Sequence, residues 1–161
     1  MSGILYAAML LTALGCGLVA GVFFAFSSFI MPALKRLEPA QGIAAMQSIN
    51  ELAVTPVFMT VFRGTAAACL GLAAWTVFFS DGRTTATELV VAGGALYLVG
   101  TIRVTIARNV QLNERLAKLH PQSAEAVGFW EKYVTKWTIW NHVRTLAALA
   151  AAALLTVALC V

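Results

Sequence analysis

Side chains that could bind or transform a ligand concentrate between residues 130 and 145. At about 3.6 residues per turn, one face of a helix over this segment carries Trp130, Tyr133, Trp137, Trp140, Asn141 and Arg144. His142 stands on a second, polar stripe, and its imidazole can take up or release a proton near neutral pH. Two interpretations are open: an aromatic belt at a membrane surface, or one wall of a ligand site.

Three arginines fall within or beside long apolar stretches of the chain. Arg63 and Arg103 each interrupt such a stretch, Arg144 stands at the start of another, and Ser27 lies near the end of the first. Because a charge inside a membrane is costly, each arginine is a candidate functional residue that a bundle would gather into one polar pocket. The alternative is that each snorkels to lipid phosphates. If the arginines are buried, the expected counter-charges are Glu51, Glu114 and Glu131.

Asparagines provide the remaining candidate polar groups. Asn109 and Asn113 stand four residues apart near the end of the third apolar stretch, and Asn50 closes a short helical segment. Amides can orient a polar ligand or stabilise an oxyanion, and they can equally cap helix ends. The candidate substrate-binding residues are therefore Ser27, Asn50, Arg63, Arg103, Asn109, Trp137, Trp140 and Asn141. The candidate catalytic residues are His142, Arg144 and Asn113.

The composition decides the class of protein and limits its cofactors. Of 161 residues, 60% are hydrophobic and 11% are charged, whereas a soluble domain has about 45–50% apolar and about 25% charged residues. These fractions exclude soluble, disordered and disulfide-stapled proteins. The two histidines and three dispersed cysteines have no metal-ligand spacing, and no glycine-rich phosphate loop is present. We expect no metal site and no bound cofactor.

Four apolar stretches predict an all-α fold, an integral membrane four-helix bundle with short cytoplasmic helical extensions. The whole chain, residues 1–161, forms a single transmembrane domain in this interpretation. The predicted membrane helices cover roughly residues 3–34, 54–80, 87–109 and 136–161. The predicted cytoplasmic helical segments cover roughly residues 40–52 and 124–136.

The distribution of charge predicts the orientation of these helices. The net charge is +4. Several lysines and arginines follow the first and third helices, whereas Arg83 is the only basic residue between the second and third helices. By the positive-inside rule, the loops at 35–53 and 108–136 are cytoplasmic and both termini lie outside. The expected location is a bacterial inner membrane, with membrane lipid and no nucleic acid as a partner.

Small residues repeat at every fourth position of the first helix, as Ala13, Gly17, Gly21 and Ala25. Such spacing lets two helices approach closely in lipid. Packing within one chain is the simpler interpretation. A homo-oligomer formed through the Gly17/Gly21 face is the alternative.

Four strings of the sequence, taken together, resemble one known family. They occupy residues 21–34 (GVFFAFSSFIMPAL), 45–50 (AMQSIN), 108–113 (RNVQLN) and 129–145 (FWEKYVTKWTIWNHVRT). In order and spacing they are similar to the anthrone-oxygenase-like group of small four-helix membrane proteins, most of which lack an assigned function. The third string has Gln111 where the family commonly has proline.

The resemblance implies, for some members, oxidation of a polycyclic anthrone to a quinone with molecular oxygen as co-substrate. The polar positions that match the family are Ser27, Asn50, Asn109, Asn113, Trp137, Asn141, His142 and Arg144.

Joined with the residue chemistry, the resemblance predicts an oxygenase-like protein for a flat, apolar phenolic or quinone-like substrate. The substrate would lie against Trp137 and Trp140, and His142 would act as the base. Arg144 or Arg63, with Asn113, would hold the oxyanion. The alternative is a non-enzymatic membrane scaffold that binds a lipid, a quinone or a partner protein.

Overall fold

The computed structural model describes residues 3–79 and 82–161 of the chain, and these ranges contain five helices. They are α1 (Gly3–Lys35), α2 (Pro39–Leu52), α3 (Pro56–Phe79), α4 (Thr85–Ala117) and α5 (Ala124–Ala158). Within these described ranges no strand is formed, so the predicted all-α class is confirmed. All except α2 are long and apolar enough to cross a membrane, which identifies an integral membrane protein.

The longest helix, α5, joins two segments that the sequence predicts next to each other. One 35-residue helix covers both the predicted cytoplasmic segment at 124–136 and most of the predicted membrane helix at 136–161, since no proline interrupts it. At its start, Ser123 Oγ accepts a hydrogen bond from the Ala126 backbone N–H at 3.1 Å. At about 1.5 Å per residue, a helix of this length is roughly 52 Å long and projects beyond the ~30 Å hydrocarbon core.

The other predicted boundaries shift by smaller amounts. α4 continues past the predicted end at 109 to Ala117. α3 ends at Phe79, and the predicted end of this helix, residue 80, lies outside the described residues.

The four long helices pack so that α5 and α3 stand on opposite sides. α5 packs against α1, α2 and α4, whereas α3 packs against α1 and α4. The buried residues of α5 run along its whole length, from Ala126 to Ala158. This helix therefore forms the spine on which the other elements are arranged.

The short helix α2 closes one end of the assembly, where α1 and α4 end and α3 and α5 begin; we call this the α2 end. Its Ile43 and Met46 are fully buried in a cluster with side chains of α1, α4 and α5. Gln47 Nε2 donates to the backbone carbonyls of Leu116 and Leu119 at 2.8 and 2.9 Å. These bonds satisfy carbonyls that the C-terminus of α4 leaves without helical partners.

Small residues bring α4 and α5 together, whereas Gly17 and Gly21 of α1 face open space. A Cβ atom on Gly100 would collide with the Cβ atom of Ala147, so the two backbones depend on the absence of that side chain. At Gly17 and Gly21 an added Cβ would meet no atom within 4 Å. Packing of these two glycines within the chain is therefore wrong, and the homo-oligomer through their face stays a prediction.

The contact at Gly100 gives a test of the fold. We expect Gly100→Ala to lower the free energy of unfolding in detergent by about 1–3 kcal/mol, because overpacking pushes α4 away from α5. Adding Ala147→Gly should restore most of the loss. Gly64→Ala, in open space on α3, is the control and should change stability by less than about 0.5 kcal/mol. Equal losses at the two glycines would contradict the packing described.

Candidate functional site

A cavity of about 380 Å³ lies at the α2 end and is lined by all five helices. This volume is within the range of about 300–1,000 Å³ that is typical of small-molecule sites. Its aromatic lining consists of Phe23, Phe26, Phe58, Phe62 and Trp137. Phe58 stacks on Phe62 with centroids 5.7 Å apart, and Phe26 lies 5.5 Å from Trp137. Such walls suit the faces of a flat aromatic ligand.

One cation, Arg144 of α5, lies in the wall of this aromatic cavity. Its side chain is buried, with only 4% of the residue surface exposed. The guanidinium carbon stands 4.1 Å from the ring centroid of Phe23 and 5.1 Å from that of Trp137. Desolvated cation–π contacts of this kind contribute about 2 kcal/mol each, so the rings that would hold a ligand also stabilise the charge.

Arg144 lacks a counter-charge in the structure. Its Nη2 donates to Asn141 Oδ1 at 2.6 Å and its Nη1 to Thr105 Oγ1 at 3.2 Å, while Nε has no partner. Among the described residues the only ion pair joins Arg83 to Glu88, at the opposite end of the molecule. The expected counter-charges are therefore wrong: Glu51, Glu114 and Glu131 are exposed. A buried cation without an anion is costly, and an anionic ligand would compensate it.

Asn141 fixes the position of the guanidinium and ties α5 to α1. Its amide is fully buried and donates to the Phe23 carbonyl and to Ser27 Oγ, both at 2.6 Å. Ser27 belongs to a π-helical turn, Phe26–Ile30, that interrupts α1. π-Helical turns are rare and often occur at functional sites. Here the turn places a hydroxyl and a carbonyl where one asparagine reaches both.

The indole N–H of Trp137, which can only donate, fixes the orientation of the Asn113 amide. Its Oδ1 accepts hydrogen bonds from Trp137 Nε1 and from the Tyr133 hydroxyl, each at 2.9 Å. Since an indole N–H is a donor only, the oxygen must face Trp137, and the NH₂ group points away from it. Asn113 and Asn50 both line the cavity.

Arg63 and Arg103 do not join the site. Both are exposed on the outer surfaces of their helices and do not line the cavity. The expected pocket of several arginines is therefore wrong for these two, and only Arg144 points inward. α4 contains π-helical stretches at Leu96–Arg103 and Thr105–Val110. Their wider turns change the direction in which later side chains point, so a repeat of 3.6 residues per turn does not give the orientation of residues along this helix.

His142 and Trp140 also lie outside the cavity. His142 is exposed, next in sequence to the fully buried Asn141. Trp140 is half-buried and carries the guanidinium of Arg108 at 4.7 Å from its ring centroid, as expected for an interfacial aromatic. The predicted placement of His142 and Trp140 beside the substrate is thus wrong, because the inward face of α5 is centred on Trp137 and Arg144.

Asn109 supports the site from behind. It is buried and donates through Nδ2 to the Trp137 backbone carbonyl at 3.1 Å, without lining the cavity. It therefore attaches α4 to α5 and does not contact a ligand.

Sequence reasoning did not single out the phenylalanine lining, and it assigned no role in the site to Thr105. The lining phenylalanines come from α1 and α3, and Phe23 and Phe26 lie within the string at 21–34 that carries the family resemblance. The signal for Thr105 is its spacing: Thr101, Thr105, Asn109 and Asn113 form a stripe at every fourth residue of α4. That stripe faces Trp137 and Arg144 of α5.

The hydrogen bonds of Asn141 predict that its replacement lowers the free energy of unfolding more than replacement of Ser27 or Ser28 does. We expect Asn141→Ala to lower the free energy of unfolding by about 1–3 kcal/mol, because it leaves buried groups of Arg144 and Phe23 without partners. Ser28→Ala is the control, since the Ser28 hydroxyl is exposed and bonds only to its own helix at Phe24. Its effect should stay below about 0.5 kcal/mol. Ser27→Ala should fall between the two in chemical denaturation.

A family model described as anthrone oxygenase matches residues 58–154. The matched range contains Asn113, Trp137, Asn141 and Arg144, whereas the walls from α1 and α2 lie outside it. No curated protein and no solved structure gives a significant match to the chain. Because the family match covers more than half of the 161 residues, the chain belongs to the anthrone oxygenase family.

Proposed function

We propose that the protein is a membrane-embedded oxygenase that uses molecular oxygen to convert a flat, apolar phenol of the anthrone type into a quinone. The buried, unpaired guanidinium of Arg144 in an aromatic cavity is the observation that carries this proposal. The cavity would accept a flat ring system, and its single cation would accept one negative charge. An anthrone that has lost a proton has both features.

The reaction balances without a further reactant. An anthrone loses a proton from the carbon between its outer rings and becomes an enolate, whose charge rests on the oxygen. The carbanion carbon forms a bond to dioxygen, and protonation gives a hydroperoxide. Loss of water from that hydroperoxide leaves a carbonyl group. In sum, one CH₂ group and one O₂ become one C=O group and one H₂O.

Arg144 and Asn113 supply the electrostatic part of this reaction. The guanidinium of Arg144 and the amide of Asn113, which both line the cavity, donate to the enolate oxygen and stabilise the charge as it forms. Asn141 and Thr105 keep the guanidinium in place through their hydrogen bonds. Stacking on Phe58 and Phe62 fixes the plane of the ring system.

The proton leaves by a route that does not include His142. The side of the cavity at Asn50 and Asn113 adjoins a second void between α2 and α4, which also contains Glu51 and Glu114. These exposed carboxylates, with water, accept the proton from the substrate. The base role expected for His142 is not carried forward, because its imidazole lies on the outer surface.

A scaffold that binds lipid is the competing function, and the outward arginines are the observation in its favour. Arg63 and Arg103 are exposed on membrane helices and can reach lipid phosphates. A scaffold would need nothing more than those two. A scaffold role does not account for Arg144, because this buried cation inside the protein has no anionic partner among the described residues.

The central test removes one arginine at a time. With a hydroxylated anthrone in vesicles, Arg144→Met should lower kcat/KM for oxygen uptake about 10²–10³-fold, because the oxyanion loses its main donor. Arg63→Met and Arg103→Met make the same change on the outer surface and should remain within about twofold of wild type, a small free-energy difference.

A binding measurement separates a ligand role of Arg144 from a structural one. Arg144→Met should weaken binding of a hydroxyanthraquinone, which can ionise, by at least about tenfold, the loss expected for one charged hydrogen bond. Its affinity for anthracene, which cannot ionise, should stay the same. A parallel loss for both ligands would mean that Arg144 only maintains the fold.

The outward position of His142 gives a further prediction. His142→Ala should leave kcat and its pH profile close to those of wild type, because the imidazole does not reach the cavity. Asn113→Leu, which removes donors that line the cavity, should lower kcat/KM about 10–100-fold. A collapse of turnover in His142→Ala, with the fold intact, would restore the histidine as the base and contradict the geometry.

A further inference from the structure

The central cavity adjoins two further voids of opposite chemistry. The first, which we call the apolar mouth, has a volume of about 240 Å³ and lies between α1 and α3. Its lining is Leu18, Val19 and Val22 of α1, Val57, Phe58 and Val61 of α3, and Thr55 just before α3. Val22 and Phe58 line both this mouth and the central cavity. Together they form the neck between the two spaces.

The second void, the polar mouth, lies between α2 and α4 and measures about 380 Å³. It shares Asn50, Val54, Val110 and Asn113 with the central cavity. Beyond them it carries Gln47 and the carboxylates Glu51 and Glu114. This polar lining offers an apolar phenol no favourable apolar contact, and the two carboxylates would repel the enolate of that phenol.

A ladder of aromatic rings leads from the apolar mouth to the buried cation. Phe58 stacks on Phe62 with centroids 5.7 Å apart and an interplanar angle of 14°. Phe62 meets Phe23 edge to face at 6.1 Å, and Phe23 carries the Arg144 guanidinium at 4.1 Å. A flat ring system that slides in at Phe58 therefore meets a π surface at each step until it reaches Arg144.

The rim of the apolar mouth is exposed at the surface of α1 and α3, two helices long and apolar enough to cross a membrane. Leu18 and Val57 at its rim are 58% and 80% exposed, on helices of membrane-spanning length. The described side chains of its rim form no hydrogen bond across it, so α1 and α3 can part there with loss of apolar contacts only. Lipid tails replace such contacts at little cost.

We propose that the apolar mouth is a lateral gate through which a flat aromatic substrate dissolved in the bilayer reaches Arg144, while the polar mouth passes only water and protons. This inference rests on the proposed function for the class of ligand. It assigns Val57 and Leu18 as gate residues and Phe58 as the first ring that the substrate meets. None of the three provides a polar group for the reaction.

The test follows the binding rate of a hydroxyanthraquinone, which cannot be oxidised further in this reaction. The full chain sits in vesicles of neutral phospholipid, the ligand arrives from donor vesicles, and stopped-flow absorption records its binding. Val57→Trp and Leu18→Trp should slow association and dissociation at least about tenfold each, with Kd within about twofold, because a gate alters both rates equally. The association rate should follow the mole fraction of ligand in lipid.

Two matched tryptophan variants serve as controls. Leu70→Trp changes an exposed α3 residue away from both mouths, and Ala117→Trp narrows the polar mouth. Both should keep wild-type rates. Slow binding in Ala117→Trp with normal rates in Val57→Trp would show access from water and overturn the gate. Absence of saturable binding to wild type would overturn it as well.

Oxygen uptake, measured separately with a hydroxylated anthrone, distinguishes the gate from the proposed function. Gated binding without oxygen uptake would leave the lateral gate standing and remove the oxygenase. Oxygen uptake at wild-type rates in both Val57→Trp and Leu18→Trp would support the oxygenase and overturn the lateral gate.

Discussion

The burial of Arg144 is the constraint on which the rest of the site depends. A guanidinium removed from water and from every described carboxylate requires other compensation, and the protein supplies Phe23, Trp137 and two neutral oxygens. These partners satisfy the N–H groups in part and leave Nε unpaired. In the proposed function, an anionic ligand would supply the missing counter-charge, which a structural ion pair would already contain.

This requirement explains why several helices are irregular near the cavity. Asn141 can orient Arg144 only if its own amide finds acceptors, which are Ser27 in the π-helical turn of α1 and the Phe23 carbonyl just before that turn. On α4, the second π-helical stretch begins at Thr105, whose hydroxyl receives the other guanidinium bond. Local departures from ideal helix are tolerated in a membrane where neighbouring groups satisfy the backbone.

Membrane context also accounts for the choice of groups in the cavity. The proposed substrate is soluble in lipid and would need little help to reach the protein, so the task left to the chain would be orientation and charge stabilisation. Rings that can stack on a ligand also attract the cation through their faces, so the same side chains would perform both tasks. Membership of the anthrone oxygenase family agrees with this proposal, in which a stabilised carbanion would be the species that reacts with oxygen.

The sequence by itself determined the membrane class and the four spanning stretches, and it grouped Trp137, Asn141 and Arg144 on one face of α5, because composition and helical periodicity act along one chain. Only the tertiary structure decided that this face points inward and that Arg63 and His142 face outward, since the rotation of each helix depends on its neighbours. Phe23 and Arg144 meet from opposite ends of the sequence, and no local pattern encodes that contact. The cavity was equally beyond prediction, because it is the space that five helices fail to fill.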